Sequence, residues 1–149
     1  MQKLLSISEA VAEEITKYYT ECDEKEQILL LLLRSDCGII FVERIVYPPK
    51  EVYRISNRNN VSLKPKYLLD KIVEAINDNA AGIIVMHNHN SLLPLFSGVD
   101  RKANKQFFSF FKNNGIEIIG GSAVYARNRI SYVTNSKMLK NRYLIKLFK

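Results

Sequence analysis

Histidine, cysteine and tryptophan are scarce in this chain: 149 residues hold two histidines, two cysteines and no tryptophan. The cysteines, Cys22 and Cys37, form no CxxC pair, which excludes a cysteine-built zinc module or a disulfide framework and leaves both as structural thiols. No apolar run reaches membrane-spanning length; QILLLLL at 27–33 is too short. The opening MQKLLSISEAVAEE turns acidic early and lacks the small-residue cleavage site of a secretory leader. These absences predict a reduced, cytoplasmic protein. There is also no internal repeat and no low-complexity linker, and the length suits one domain.

What is present is ordinary globular material, 47% apolar and 25% charged, enough to bury a core. Net charge is +7, from 22 Lys+Arg against 15 Asp+Glu. That balance favours acidic partners, whether nucleic acid or protein, and says nothing of the fold. The basic residues are scattered rather than striped, except near the end of the chain.

Ser8 and the spacing of Ala10, Val11 and Ile15 predict a capped amphipathic helix. QILLLLL predicts a buried strand, Asp36 and Gly38 a turn, and IIFVERIVY (39–47) a strand pairing back antiparallel. KEVYRISNRNN suits a loop with a short strand. Leu68, Leu69, Ile72, Val73 and Ile76 predict the core face of a helix opened by Pro65. GIIVM (82–86) predicts a central strand, and DRKANKQFFSFFKNNG (100–115) a helix ending at a glycine. IEIIGGSAVYARNRISYV (116–133) predicts two strands around Gly120–Gly121 and an Arg127–Asn128 turn. This order implies an α/β (α+β) domain, a mixed sheet flanked by helices.

Both histidines, His87 and His89, stand together at the end of the GIIVM strand. In extended backbone residues i and i+2 share a face, so two imidazoles can converge on one cation, and imidazole nitrogen suits Zn²⁺. Asp100 is the first acidic residue that follows. The same aspartate closes Ser97-Gly98-Val99-Asp100, an S-x-x-D capping box that needs no metal. Leu92, Leu93, Leu95 and Phe96 are equally ambiguous, fitting core packing or a peptide-docking surface.

Together, H-x-H, seven residues, Ser, two residues, Asp (His87, His89, Ser97 and Asp100) resembles the JAMM motif of JAB/MPN metalloproteases. NAAGIIVMHNHN (79–90) and NGIEIIGG (114–121) resemble the prokaryotic RadC-like branch in particular. The resemblance is strong over 79–133 and extends back to the first helix. It implies one JAB/MPN-like domain over residues 1–134, with a mostly antiparallel sheet in a cytidine-deaminase-like arrangement. Residues 135–149 then form a basic amphipathic tail, with Met138, Leu139, Tyr143, Leu144, Leu147 and Phe148 on a helix-like face.

The family also places a glutamate at the start of its first buried strand. Aligning QILLLLL with that strand puts Glu26 there, with Glu24 the alternative one strand period away; Glu21 is a more remote candidate. Glu43 falls on the second strand as a solvated or paired surface residue. What the resemblance implies is a zinc metallopeptidase, with one Zn²⁺ per chain on His87, His89 and Asp100. Glu26 serves as general base and acid, and Ser97 as donor to the oxyanion. Its substrates would be a ubiquitin-like protein or its conjugates, with E1- or E2-like proteins as partners, in sulfur-carrier or antiviral-defence settings. Zn²⁺ is not distinguished from iron or manganese by a two-His, one-carboxylate set.

Two departures from the family bear on substrate choice and loop rigidity. Asn90 replaces the proline that usually follows the second histidine, and LLPLF (92–96) replaces a more polar stretch. Two other classes of function compete: a RadC-like nucleic-acid-associated protein, and a metal-free MPN scaffold. No helix-turn-helix or helix-hairpin-helix pattern precedes the JAB-like part, and none of the ligands a scaffold would lose is missing. Neither a nucleic acid nor a membrane surface is the expected partner.

Overall fold

Ile28 through Leu33 are all buried, a run that demands cover on both faces of a sheet. The computed structural model describes residues 3–22, 26–55, 61–137, 139 and 143–146, and it supplies that cover. Helix α1 (Glu9–Glu21) leads into strands β1 (Ile28–Asp36) and β2 (Ile39–Val46). A single 3-10 turn (Lys50–Val52), β3 (Tyr53–Ile55), β4 (Val61–Leu63) and α2 (Pro65–Asn77) follow. The second half runs β5 (Gly82–Asn88), α3 (Gly98–Asn113), β6 (Ile119–Ala126), β7 (Arg129–Thr134) and β8 (Tyr143–Lys146). The main sheet has the order β2-β1-β5-β6-β7-β8, and β3-β4 is a separate hairpin. Among the described strands of this sheet β5 and β6 pair parallel and the other neighbours antiparallel. The molecule is a single α/β domain with a mixed, mostly antiparallel sheet.

The strand period of two divides the leucines of β1 between two cores. Leu29, Leu31 and Leu33 pack with Ile15 and Tyr19 of α1, while Ile28, Leu30 and Leu32 pack with Ile72 of α2 and Phe111 of α3. Each such buried side chain contributes about 1.5–3 kcal/mol of transfer free energy. Turn chemistry fixes the hairpins. Cys37 and Gly38 (φ 49° and 78°) join β1 to β2, and Arg127 and Asn128 (φ 45° and 67°) join β6 to β7. Positive φ at both central residues is what a tight, right-twisting hairpin requires.

Gly120 does not end a strand but lies inside β6. A Cβ there would sit 2.7 Å from the Phe111 ring, so the missing methyl is the space into which α3 packs. Three other expectations are corrected. The tail residues Tyr143–Lys146 form an edge strand on β7 rather than a helix, and Leu139 is fully buried in the α1-side core. Val61–Leu63 adds an unforeseen strand that pairs with β3. On α2, Leu69, Val73 and Ile76 are 41–46% exposed, because only the Ile72–Ala75 side of the helix meets the sheet. Met138, Leu147 and Phe148, assigned to the tail's apolar face, lie outside the described residues.

Candidate metal centre

Strand β5 sets the geometry. Ile83, Val85 and His87 alternate onto the α3 side of the sheet, opposite Ile84 and Met86. The His89 N–H donates to the Tyr125 carbonyl at 2.8 Å, extending the β5–β6 ladder one residue past the strand. Both imidazoles therefore share one face. Their Nε2 atoms lie 2.9 Å apart.

Helix α3 delivers the third group. Ser97 is its N-cap: Oγ accepts the Asp100 N–H at 3.1 Å, and Ser97 N–H donates to Asp100 Oδ2 at 2.8 Å. The reciprocal bonds of the capping box fix the carboxylate, which lies 3.2 Å (Oδ1) from His87 Nε2 and 3.3 Å (Oδ2) from His89 Nε2. Cap and ligand, alternatives in the sequence, are one arrangement here. Glu26 enters from the start of β1, with Oε1 3.8 Å from His89 Nε2. Glu24 lies outside the described residues, Glu21 is exposed at the end of α1, and Glu43 pairs with Arg34 on the surface.

The electrostatics are those of a cation site. Burial works to raise the Asp100 carboxyl, but hydrogen bonds from His87 and His89, the charge of His87 and the Ser97 backbone outweigh it. The group is held well below the usual carboxylate range. His89 is raised above its ordinary value, first by its hydrogen bond to Asp100, against burial, with the charges of Asp100 and Glu26 and a Leu95 backbone hydrogen bond adding. A tetrahedral ion at ordinary Zn–N and Zn–O distances spaces its ligands about 3.3 Å apart. The separations of 3.2 and 3.3 Å between Asp100 and the two imidazoles fit that figure, and the 2.9 Å between the ring nitrogens is shorter than it. His87, His89 and Asp100 can hold a metal, and among the described residues they are the only such group.

A model of the RadC-like JAB domain matches residues 5–137. The chain belongs to this family. A search of curated proteins gave no match. The JAB superfamily includes zinc metallopeptidases, and the matched span of this RadC-like JAB domain contains the whole cluster.

Sequence reasoning missed the side chains that hold Glu26 in place. Asn88 stands between the two histidines and faces the other way, and its Oδ1 accepts the Gln27 N–H at 2.7 Å. Tyr53 Oη accepts the Ile28 N–H at 2.8 Å and lies 3.1 Å from the Ile28 carbonyl. The two residues after Glu26 are thus anchored by side chains from β5 and β3. Asn88 had one visible signal, its place inside H-x-H; Tyr53 had none. The loop after His89 contains no strand. Leu92 and Leu95 are 69% and 67% exposed and do not enter the core. No helix among the described residues is long and apolar enough to cross a membrane.

Proposed function

We propose that this RadC-like JAB domain is a metal-dependent peptidase that hydrolyses amide or isopeptide bonds at the C-terminus of a ubiquitin-like protein. The observation that carries the reading is the convergence of His87, His89 and Asp100 with a fourth group, Glu26, 3.8 Å from His89. His87, His89 and Asp100 would hold Zn²⁺ with a position left open, where the metal would supply Lewis acidity and water activated near neutral pH.

The chain's own residues supply the rest. Glu26, clear of the ligand set, accepts the proton of the attacking water and returns it to the departing amine. Ser97 Oγ already accepts the Asp100 N–H, which leaves its own proton free to donate to the developing oxyanion, a contribution of about 3 kcal/mol. Asp100 stays ionised at neutral pH, as a ligand must. No cysteine or serine nucleophile is involved. Partners of E1- or E2-like type would belong to the same conjugation system.

The test is cleavage of a ubiquitin-like fusion protein by the purified chain, with and without chelator, beside Glu26→Gln. The expected result is chelator-sensitive cleavage, reduced by about 10²–10⁴-fold in the variant as for loss of a general base. Metal-free protein, or cleavage indifferent to both changes, rejects the reading. A salt-sensitive gel shift with DNA and no cleavage would favour the nucleic-acid alternative.

A further inference from the structure

Beyond the metal cluster, a groove of about 720 Å³ lies between the 93–96 loop, α3 and β7. Its apolar lining includes Leu95, Phe96, Phe108 and Val133. Arg101 and Lys105, one helical turn apart on α3, supply its cations. Among the described residues no acidic side chain lines it. Among the described residues neither cation makes an ion pair, although four other basic residues near carboxylates do. The loop wall is fixed: Pro94 is buried, and its carbonyl accepts a hydrogen bond from Ser131 Oγ on β7.

The groove also adjoins the candidate centre. Arg101 follows Asp100 directly, Asn104 lines both this groove and the pocket of about 200 Å³ beside His87 and Asp100, and the Leu95 backbone bonds to His89. A ligand in the groove would therefore lie one helical turn from the cluster.

We propose that this groove binds a peptide segment that combines aliphatic or aromatic side chains with carboxylates, contributed by the substrate protein. The inference rests on the hydrolase reading for the word substrate, and on the groove alone for the binding. Charge complementarity selects the occupant: two unpaired cations over an apolar floor call for acids flanking apolar groups, and a like-charged segment would leave them repelled. The floor argues for peptide rather than nucleic acid. Aliphatic side chains and Pro94 make up most of the apolar lining, whereas a single-strand groove stacks bases on aromatic platforms along a longer row of cations. Recognition runs through side chains, with the cations at the rim setting specificity and the apolar floor carrying affinity.

The test is panning of a random dodecapeptide display library on the immobilised full chain, followed by fluorescence-anisotropy titration of the recovered peptides. Three proteins are compared: wild type, Arg101→Glu/Lys105→Glu and Leu95→Asp. All three positions are solvent-exposed, and a thermal melt of each variant verifies folding. The expected outcome is enrichment of acidic–apolar peptides whose affinity falls by about tenfold or more in both variants, while peptides with lysine in place of the acids bind the charge-reversed protein better. Enrichment of basic or charge-free peptides, affinities unchanged in the variants, no enrichment, or tighter binding of a dT oligonucleotide at the groove would each overturn the proposal. The titration is repeated with Glu26→Gln in chelator, where binding must persist. Absence of cleavage by the zinc-loaded wild type with intact peptide binding therefore rejects the hydrolase reading alone, and chelator-sensitive cleavage with no groove binding rejects this inference alone.

Discussion

Two helices of this domain begin with the same residue and end up with different duties. At α1, Ser8 Oγ accepts the Val11 N–H at 3.2 Å, and the third helical position returns nothing. At α3, Ser97 Oγ accepts the Asp100 N–H, and the carboxylate returns a bond to the cap while it faces two imidazoles. The first turn of α1 closes a helix. The first turn of α3 closes a helix and aims a charge. The difference is one side chain, and it shows that a structural explanation for a residue does not compete with a functional one. The cap is the means by which Asp100 is pre-oriented, so that little freedom remains to be lost when a cation binds.

The strongest way to break the comparison is Asp100→Asn. The amide oxygen can still accept the Ser97 N–H, so the helix start should survive within about 1 kcal/mol. The negative charge on the histidines is gone, and zinc retained after dialysis should fall from about one per chain to a small fraction, with affinity down by at least about 100-fold. Elemental analysis and a thermal melt read the two effects separately. Retention of stoichiometric zinc would show that Asp100 is a cap and nothing more.

The paired substitutions Ser8→Ala and Ser97→Ala sharpen it. Each removes one cap acceptor and should cost about 0.5–2 kcal/mol by denaturant titration. Only Ser97→Ala should also slow cleavage, by about 10²–10³-fold in kcat if the hydroxyl reaches the oxyanion. Equal stability losses with unequal activity losses are the expected pattern.

A smaller effect separates the two turns by pH. In metal-free protein, His89 lies above its ordinary value of 6.5, so its stabilisation is complete below about pH 6.5 and is lost as pH rises through the folded value. Asp100 lies below its ordinary 3.8, so its share is present above about pH 4 and is lost only as strong acid protonates the carboxylate. The metal-free melting temperature should therefore peak between about pH 4 and 6.5 and decline toward alkali, a decline that His89→Gln flattens. Saturating zinc should reverse the alkaline trend, because protons cease to compete for the imidazoles. The α1 turn, with no titrating partner at Val11, should follow neither trend.

Much of this was legible before any coordinates. The unbroken apolar run of β1, the turn residues of the tight hairpins and the helix caps are local signals, and they set the order of the major elements. β4 and β8 escaped because three or four residues carry no measurable period, and a neighbouring strand decides their state. Gly120–Gly121 looked like punctuation; only the Phe111 ring explains why a strand runs through it. In the site, the spacing of His87, His89, Ser97 and Asp100 named the cluster, and family alignment was needed to reach Glu26. The anchoring bonds of Asn88 and Tyr53 join residues far apart in the chain, and nothing in their spacing announces them.

Phe111 sits eleven residues beyond Asp100 on the same rigid rod, about 16 Å along its axis. Because that ring rests where Gly120 has only a hydrogen, the depth at which the far end of α3 seats against the sheet is fixed by an atom remote from any chemistry. The helix behaves as a beam bolted at one end and loaded at the other. The calibration of the carboxylate against the imidazoles is thus stored partly at a position that no inventory of the site would include.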